Sequence, residues 1–126
     1  MEQKQVLIVD DDTRNIFALK AVLKSRAISC ITAGTGAEAL RVLSSEHGIS
    51  VVLIDIMMPD MDGYETISAL RAMPGNQRLP IIAVTAKAMV GDREKCLEAG
   101  ADNYISKPID VDELLVQLQQ YLSEER

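Results

Sequence analysis

Residues 51–65 read Val-Val-Leu-Ile-Asp-Ile-Met-Met-Pro-Asp-Met-Asp-Gly-Tyr-Glu. The run Val51–Asp55 is almost wholly apolar, as a parallel strand covered on both faces must be. It ends on a carboxylate, Asp55, that is still followed by Ile56, Met57 and Met58. A carboxylate embedded in such a run is costly unless something pairs with it, so a purely structural role for Asp55 is a poor reading. Pro59, Asp60, Asp62 and Gly63 then mark a turn. Asp60, Asp62 and Gly63 overlap part of a calcium loop, but the Glu expected at its twelfth position is out of register. The turn leads into a helical pattern over Gly63–Ala72, closed by Pro74-Gly75. Thr66 and Ser68 are expected to face solvent on it, with nothing to mark them as phosphosites.

Outward from this stretch, the same alternation of short β-branched run and longer helical pattern continues in both directions. The other strand candidates are Val6–Val9, Ile28–Thr32, Ile81–Thr85 and Asn103–Ser106. One helix is expected near Arg14–Ser25, with Ile16, Leu19 and Leu23 on one face. A second starts at Thr35, where Glu38 three residues on suggests a capping box; Leu40 and Leu43 point inward and Gly48 stops it. A fourth runs from near Ala88 to Ala99, ending at Gly100. The fifth is capped by Asp110 and carries Val111, Leu114, Leu115, Leu118 and Leu122 on one face. The order is therefore (βα)5, which implies a parallel sheet with right-handed crossovers. A five-stranded α/β chain of this kind suggests a flavodoxin-like three-layer sandwich with strand order 2-1-3-4-5, whose ligands bind at the C-terminal edge of the sheet.

That edge collects the chemistry. Strand 1 leads into Asp10, Asp11 and Asp12, strand 3 ends in Asp55, strand 4 in Thr85, and strand 5 leads into Lys107-Pro108. Taken singly, Asp12 reads as a helix N-cap, Thr85 as an ordinary strand end and Lys107 as a solvated charge. Together they change meaning. Clustered carboxylates repel, so one takes up a proton or a cation neutralises them. All-oxygen ligands favour Mg2+, which keeps several waters and shares a phosphate oxygen. With Lys107 adding a second positive charge, Asp55 becomes a carboxylate nucleophile equipped to accept a phosphoryl group.

Length and composition agree. At 126 residues the chain holds about one domain, residues 1–126. A net charge of −6 disfavours direct nucleic-acid binding. Phe17, Tyr64, Tyr104 and Tyr121 are too few for a base-stacking platform. Cys30 and Cys96 form no CxxC pair and read as small buried hydrophobes in a reducing compartment. His47, the sole histidine, lies beside Gly48 at a helix end, so neither a His-rich metal site nor a Ser-His-Asp triad is supported. With no apolar run of membrane-spanning length and no secretory core, the chain reads as a soluble cytoplasmic domain without membrane contact.

The stretches VLIVDDD, LIDIMMPDMDGYE, PIIAVTA and AGADNYISKP, in that order, resemble the receiver domain of two-component response regulators across essentially the whole chain. DDDTRNIFALKAVL and TAKAMVGDREKCLEAGADNYISKP are most similar to receivers attached to hybrid sensor histidine kinases. The resemblance implies that Asp55 receives a phosphoryl group from the phosphohistidine of a histidine kinase or histidine phosphotransfer domain. It implies that Asp10 and Asp11, with Asp55 and the Met57 backbone carbonyl, hold Mg2+, with Mn2+ as the alternative metal. Lys107 is to pair with Asp55 and then with the phosphoryl group, and Thr85 to bond a phosphoryl oxygen. Tyr104 occupies the aromatic switch position. Pro108 follows the lysine, where the family usually has a cis peptide bond. Lys87 and Met57, two residues after Thr85 and Asp55, are candidates for tuning the lifetime of the phosphorylated state.

Two other readings compete. A haloacid-dehalogenase-type phosphatase would use Asp10-Asp11-Asp12-Thr13 after strand 1, but it leaves Asp55 and the Met58–Gly63 stretch without a role. A non-phosphorylated interaction module on the same fold would have no use for the complete acidic site.

Overall fold

Each strand supplies alternate side chains to two separate cores, which is why both sheet faces must be covered. A computed structural model describes residues 4–45, 48–86 and 91–123. It has strands β1 Gln5–Val9, β2 Ser29–Ala33, β3 Ile49–Asp55, β4 Ile81–Thr85 and β5 Asn103–Ser106. They form one parallel sheet in the order β2-β1-β3-β4-β5. Between and after them lie helices α1 Thr13–Ser25, α2 Gly36–Ser45, α3 Gly63–Ala72, α4 Asp92–Ala99 and α5 Val111–Ser123. Leu7, Val9, Val52, Ile54, Ile81 and Ala83 point to one face, onto Ala39 of α2, Ile67 and Leu70 of α3 and Cys96 of α4. Val6, Ile8, Val51, Leu53, Ile82, Val84 and Ile105 point to the other, onto Leu19 and Leu23 of α1 and Leu114, Leu115 and Leu118 of α5. This is the expected three-layer sandwich. Truncating a fully buried residue such as Leu53 to Ala costs about 2–5 kcal/mol.

The differences from the sequence reading are local. β2 starts at Ser29 rather than Ile28, because the Ile28 N–H closes α1 by donating to the Leu23 carbonyl, just after Ala27 at φ 59°. β3 begins two residues early, at Ile49. At the start of α2 the Thr35 hydroxyl accepts from the Glu38 N–H, but the Glu38 carboxylate returns to the Gly34 N–H, one residue before the expected partner. α4 begins at Asp92, after Gly91 at φ 100°; residues 87–90, and with them Lys87 and the expected start at Ala88, lie outside the described residues. So does His47. Val111 is exposed rather than part of the apolar face of α5, and Cys30 is half-buried while Cys96 is fully buried, both thiols free.

Thr66 corrects an expectation. It is fully buried, not solvent-facing, and its hydroxyl donates to the Asp62 carbonyl. It packs where α2 meets α3: a Cβ on Gly36 would lie 2.2 Å from the Thr66 Oγ1. Ser68 is exposed as expected.

Candidate functional site

Parallel pairing brings the ends of β1, β3, β4 and β5 to one edge, and the residues that follow them into one cleft. Asp10 comes directly after β1; Asp55 ends β3 and Thr85 ends β4. The Lys107 N–H donates to the Thr85 carbonyl, which carries the β4–β5 ladder one step past Ser106. Asp10, Asp55 and Thr85 are all buried, Asp55 to 3% exposure, while Asp11 is open to solvent.

Three local devices fix these side chains. Asp12 is the N-cap of α1, accepting from the N–H groups of Arg14 and Asn15. Its own N–H donates to Asp10 Oδ1 at 2.9 Å, so the cap also orients the buried carboxylate. After β3, the chain turns through Met57–Met61, with Asp60 at φ 66°. It enters α3 through a capping box in which Asp62 and Glu65 each accept the other's N–H. Gly63 is pressed against the end of β3: a Cβ there would lie 2.6 Å from the Ile56 Cα and 2.7 Å from the Asp55 carbonyl oxygen. Its N–H donates to the Ile56 carbonyl. Glycine is therefore required at 63 by close approach, and the turn it anchors holds Met57 so that its N–H reaches Asp55 Oδ1 at 3.2 Å.

The charges do not balance. Carboxylate oxygens of Asp10, Asp11 and Asp55 lie within 4.8 Å of one another. Lys107 Nζ stands 3.4 Å from Asp55 Oδ1. Burial first, then the Asp10 carboxylate, push the Asp55 carboxyl above its ordinary range, and Lys107 and the Met57 N–H only partly oppose this. Three carboxylates facing one cation leave negative charge in excess. A hard oxygen set with one side open to water fits a divalent ion that keeps part of its hydration, as Mg2+ does.

Most of the expected site residues fall at this edge. Asp10, Asp11, Asp55 and Lys107 are in direct proximity, and Thr85 and Met57 flank them. Tyr104 stands on β5 opposite Ala83, half-buried against the core on the α2–α3–α4 side. The Lys107–Pro108 peptide is cis. Lys87 lies outside the described residues. The sequence reading missed Asn15, whose Nδ2 comes to 3.5 Å from Asp10 Oδ2. Its position three residues after the N-cap, on the first turn facing the cleft, was the available signal.

Residues 6–119 match the family model described as "Response regulator receiver domain". Sensor histidine kinase RcsC of Escherichia coli K12 is 40% identical over 111 residues, 88% of this chain and 11% of that protein. The chain spans about half or less of the first curated relatives it matches. The receiver domain of sensor histidine kinase PA1611 from Pseudomonas aeruginosa PAO1, solved with a magnesium ion in its active site cleft, is 34% identical with a TM-score of 0.87. That match covers 97% of this chain and 99% of the other. The receiver domain of the response regulator Ssk1 of Saccharomyces cerevisiae, co-crystallised with the histidine phosphotransfer protein Ypd1, is 27% identical with a TM-score of 0.87. It covers 96% of this chain and 90% of the other.

Proposed function

Since the chain belongs to the response regulator receiver family, we propose that Asp55 is its phosphoacceptor and that Asp10, Asp11, Lys107 and Thr85 form the machinery around it. The domain is a phosphoacceptor module of two-component signalling. The observation that carries the residue assignment is Asp55 itself: a buried carboxylate held between one lysine and two further carboxylates.

A carboxylate oxygen of Asp55 attacks the phosphorus of a phosphohistidine. The P–N bond breaks, a P–O bond forms, and the imidazole nitrogen leaves with the electron pair and is protonated. The β3 ladder and the Met57 N–H orient the Asp55 carboxylate that makes this attack. Lys107, already at its carboxylate, follows the charge onto the phosphoryl oxygens. Asp10, Asp11 and Asp55, with the Met57 carbonyl, would hold Mg2+ (Mn2+ as the alternative). When bound, the ion neutralises the acidic cluster and the charge on the transferring phosphoryl group. Hydrolysis restores the carboxylate: water attacks phosphorus, the bond from phosphorus to the Asp55 oxygen breaks with the carboxylate leaving with the electron pair, and inorganic phosphate is released as the water gives up a proton to solvent. Met57, which is exposed, and Lys87, from its sequence position, govern that water's approach.

Thr85 donates its hydroxyl to a phosphoryl oxygen, and Tyr104 responds to its movement. Only contacts that differ between two states shift the balance between them, and Thr85 and Lys107 supply such contacts. The donor, a histidine kinase or histidine phosphotransfer domain, is assigned to the groove between α1 and α5, which is lined by Asn15, Ala18, Val22, Lys107 and Pro108 and opens beside the cleft. Residues 1–126 act as one such domain, with a cytoplasmic location fitting a phosphodonor of that kind.

The test is intact-mass measurement after incubation with phosphoramidate and Mg2+. One added phosphoryl group is expected in the wild type and none in Asp55→Asn or with chelator. Undiminished labelling of Asp55→Asn would move the nucleophile to Asp10, as the dehalogenase-type reading requires. Failure of the wild type to label or to bind Mg2+ would favour the interaction-module reading.

A further inference from the structure

The face of α1 turned away from the α5 groove carries a second surface, of different chemistry. Phe17, Lys20, Ala21 and Lys24 recur at i, i+3, i+4 and i+7, so they form one stripe. With Ile28 and Cys30 they line a groove of about 740 Å3 beside β2, the edge strand. Phe17 is 76% exposed. A lone exposed hydrophobe needs no explanation, but this ring heads a concave apolar floor rimmed by cations.

The charge distribution is as uneven as the shape. Residues 13–37 hold Arg14, Lys20, Lys24 and Arg26 and neither Asp nor Glu, a segment of +4 in a chain of −6. Among the described residues neither Lys20 nor Lys24 makes an ion pair. Lys20 and Cys30 both line the groove, and the Lys20 ammonium opposes the effect of burial on the Cys30 thiol. Strong single-sign fields on an otherwise opposite surface steer and select partners.

We propose that this groove docks an acidic amphipathic helix of a partner protein, with apolar side chains against Phe17 and Ile28 and carboxylates on Lys20 and Lys24. The groove is concave, so a helix ridge reaches Ile28 and Cys30 on its floor, where a flat bilayer touches only the Phe17 rim. The mode is that of a helix laid in a groove, with anchors at i, i+3 or i+4 and i+7. It uses a different stripe of α1 from the donor groove of Asn15, Ala18 and Val22, so the partner binds whether or not Asp55 is phosphorylated.

Cys30 provides the readout, because it lines the groove and is half-buried while Cys96 is fully buried. The probe is a fluorescein-labelled, alanine-rich helical peptide with a leucine stripe flanked by glutamates. Its lysine-for-glutamate counterpart and phosphatidylglycerol vesicles are the comparisons. The acidic peptide should bind, weaken with added salt, and slow alkylation of Cys30 by iodoacetamide. Phe17→Ser and the pair Lys20→Glu with Lys24→Glu should each lower affinity at least about tenfold. All these variants should accept one phosphoryl group from phosphoramidate as the wild type does, which separates this surface from the phosphorylation site. The proposal is overturned if the acidic peptide does not bind, if the basic peptide binds as well, or if neither substitution changes affinity. Protection of Cys30 by vesicles but not by peptide would overturn it in favour of a lipid surface.

Discussion

Asp102 and Asp55 each come within 4.0 Å of a cationic side chain, and they lie at opposite edges of the sheet. Asp102 stands just before β5. Its Oδ2 accepts from the Ile81 N–H at 2.8 Å and from Arg71 Nη2 at 3.0 Å. Arg71 spends its remaining donors on the carbonyls of Gly100, Asn76, Gln77 and Leu79. Each nitrogen of the Arg71 guanidinium has a partner, and the network ties the end of α3 to the starts of β4 and β5. Asp55 receives one N–H at 3.2 Å and a lysine at 3.4 Å, and faces two more carboxylates. The first pair is complete and holds the fold together. The second is short of donors and over-supplied with negative charge, which leaves it capacity for a cation and a phosphoryl group. A satisfied ion pair marks structure; an unbalanced one at a strand's C-terminal end marks chemistry.

The largest effect expected from breaking this contrast is at the structural pair. Arg71→Ala strips partners from several carbonyls and from Asp102 at once. Half-buried carbonyls left unpaired cost about 1–3 kcal/mol each before water reaches them. With partial rehydration, a loss of about 3 kcal/mol is expected, roughly 10 °C in Tm for a chain of this size, measured by thermal or urea unfolding. Phosphorylation per folded molecule should be unchanged. A variant as stable as wild type but unable to be phosphorylated would invert the comparison.

The functional pair should respond with the opposite sign. In chelator at neutral pH, Asp55→Asn removes a buried charge from a repelling cluster, so stability should rise, by about 1 kcal/mol as an order of magnitude. The pH dependence follows from the same direction of shift. The folded-state pKa of Asp55 lies above its unfolded value of 3.8, so the native state binds more protons between the two. The stabilisation is fully present below about pH 3.8 and is lost as pH rises through the folded pKa. Wild-type unfolding free energy in chelator should therefore gain less than that of Asp55→Asn as pH rises from 4 to 7. Millimolar Mg2+ should raise the wild-type Tm at neutral pH, since a ligand of the native state alone stabilises by mass action, and should do so less for Asp55→Asn. Equal Mg2+ shifts in both would remove Asp55 from the ion's ligand set.

Much of this contrast was legible beforehand, and unevenly so. Doubly covered strands write themselves as apolar runs, so the (βα)5 order and the chemistry at the C-terminal edge could be read from Val51–Asp55 and its counterparts. Lys107, Thr85 and Asp10 followed because each abuts such a run. Arg71 and Asp102 could not be found that way. They are 31 residues apart, neither interrupts an apolar run, and a charged residue at a helix end looks solvated until the carbonyls it caps are in place. Thr66 failed for a related reason: helical periodicity assigns a face, but Gly36 on a neighbouring helix decides that this hydroxyl is covered. The exact starts of β2 and β3 depend on how α1 ends and how β1 pairs, which are tertiary facts.

The smallest effect lies inside the structural pair itself. Arg71 is 19% exposed at its side chain but Asp102 is 45% exposed, so solvent screens their attraction. Asp102→Asn retains an amide oxygen for the Ile81 N–H and for Arg71, and gives up only the charge. The cost expected is about 0.5 kcal/mol, the ordinary range for an ion pair with an exposed partner. Most of the loss in Arg71→Ala should then come from the orphaned carbonyls, and a double-mutant cycle between Arg71→Ala and Asp102→Asn separates the two. A coupling energy of up to about 1 kcal/mol is expected. A coupling above about 2 kcal/mol would mean that charge, not saturation of hydrogen bonds, makes this pair structural. The distinction between Asp102 and Asp55 would then rest on the extra carboxylates at the second site alone.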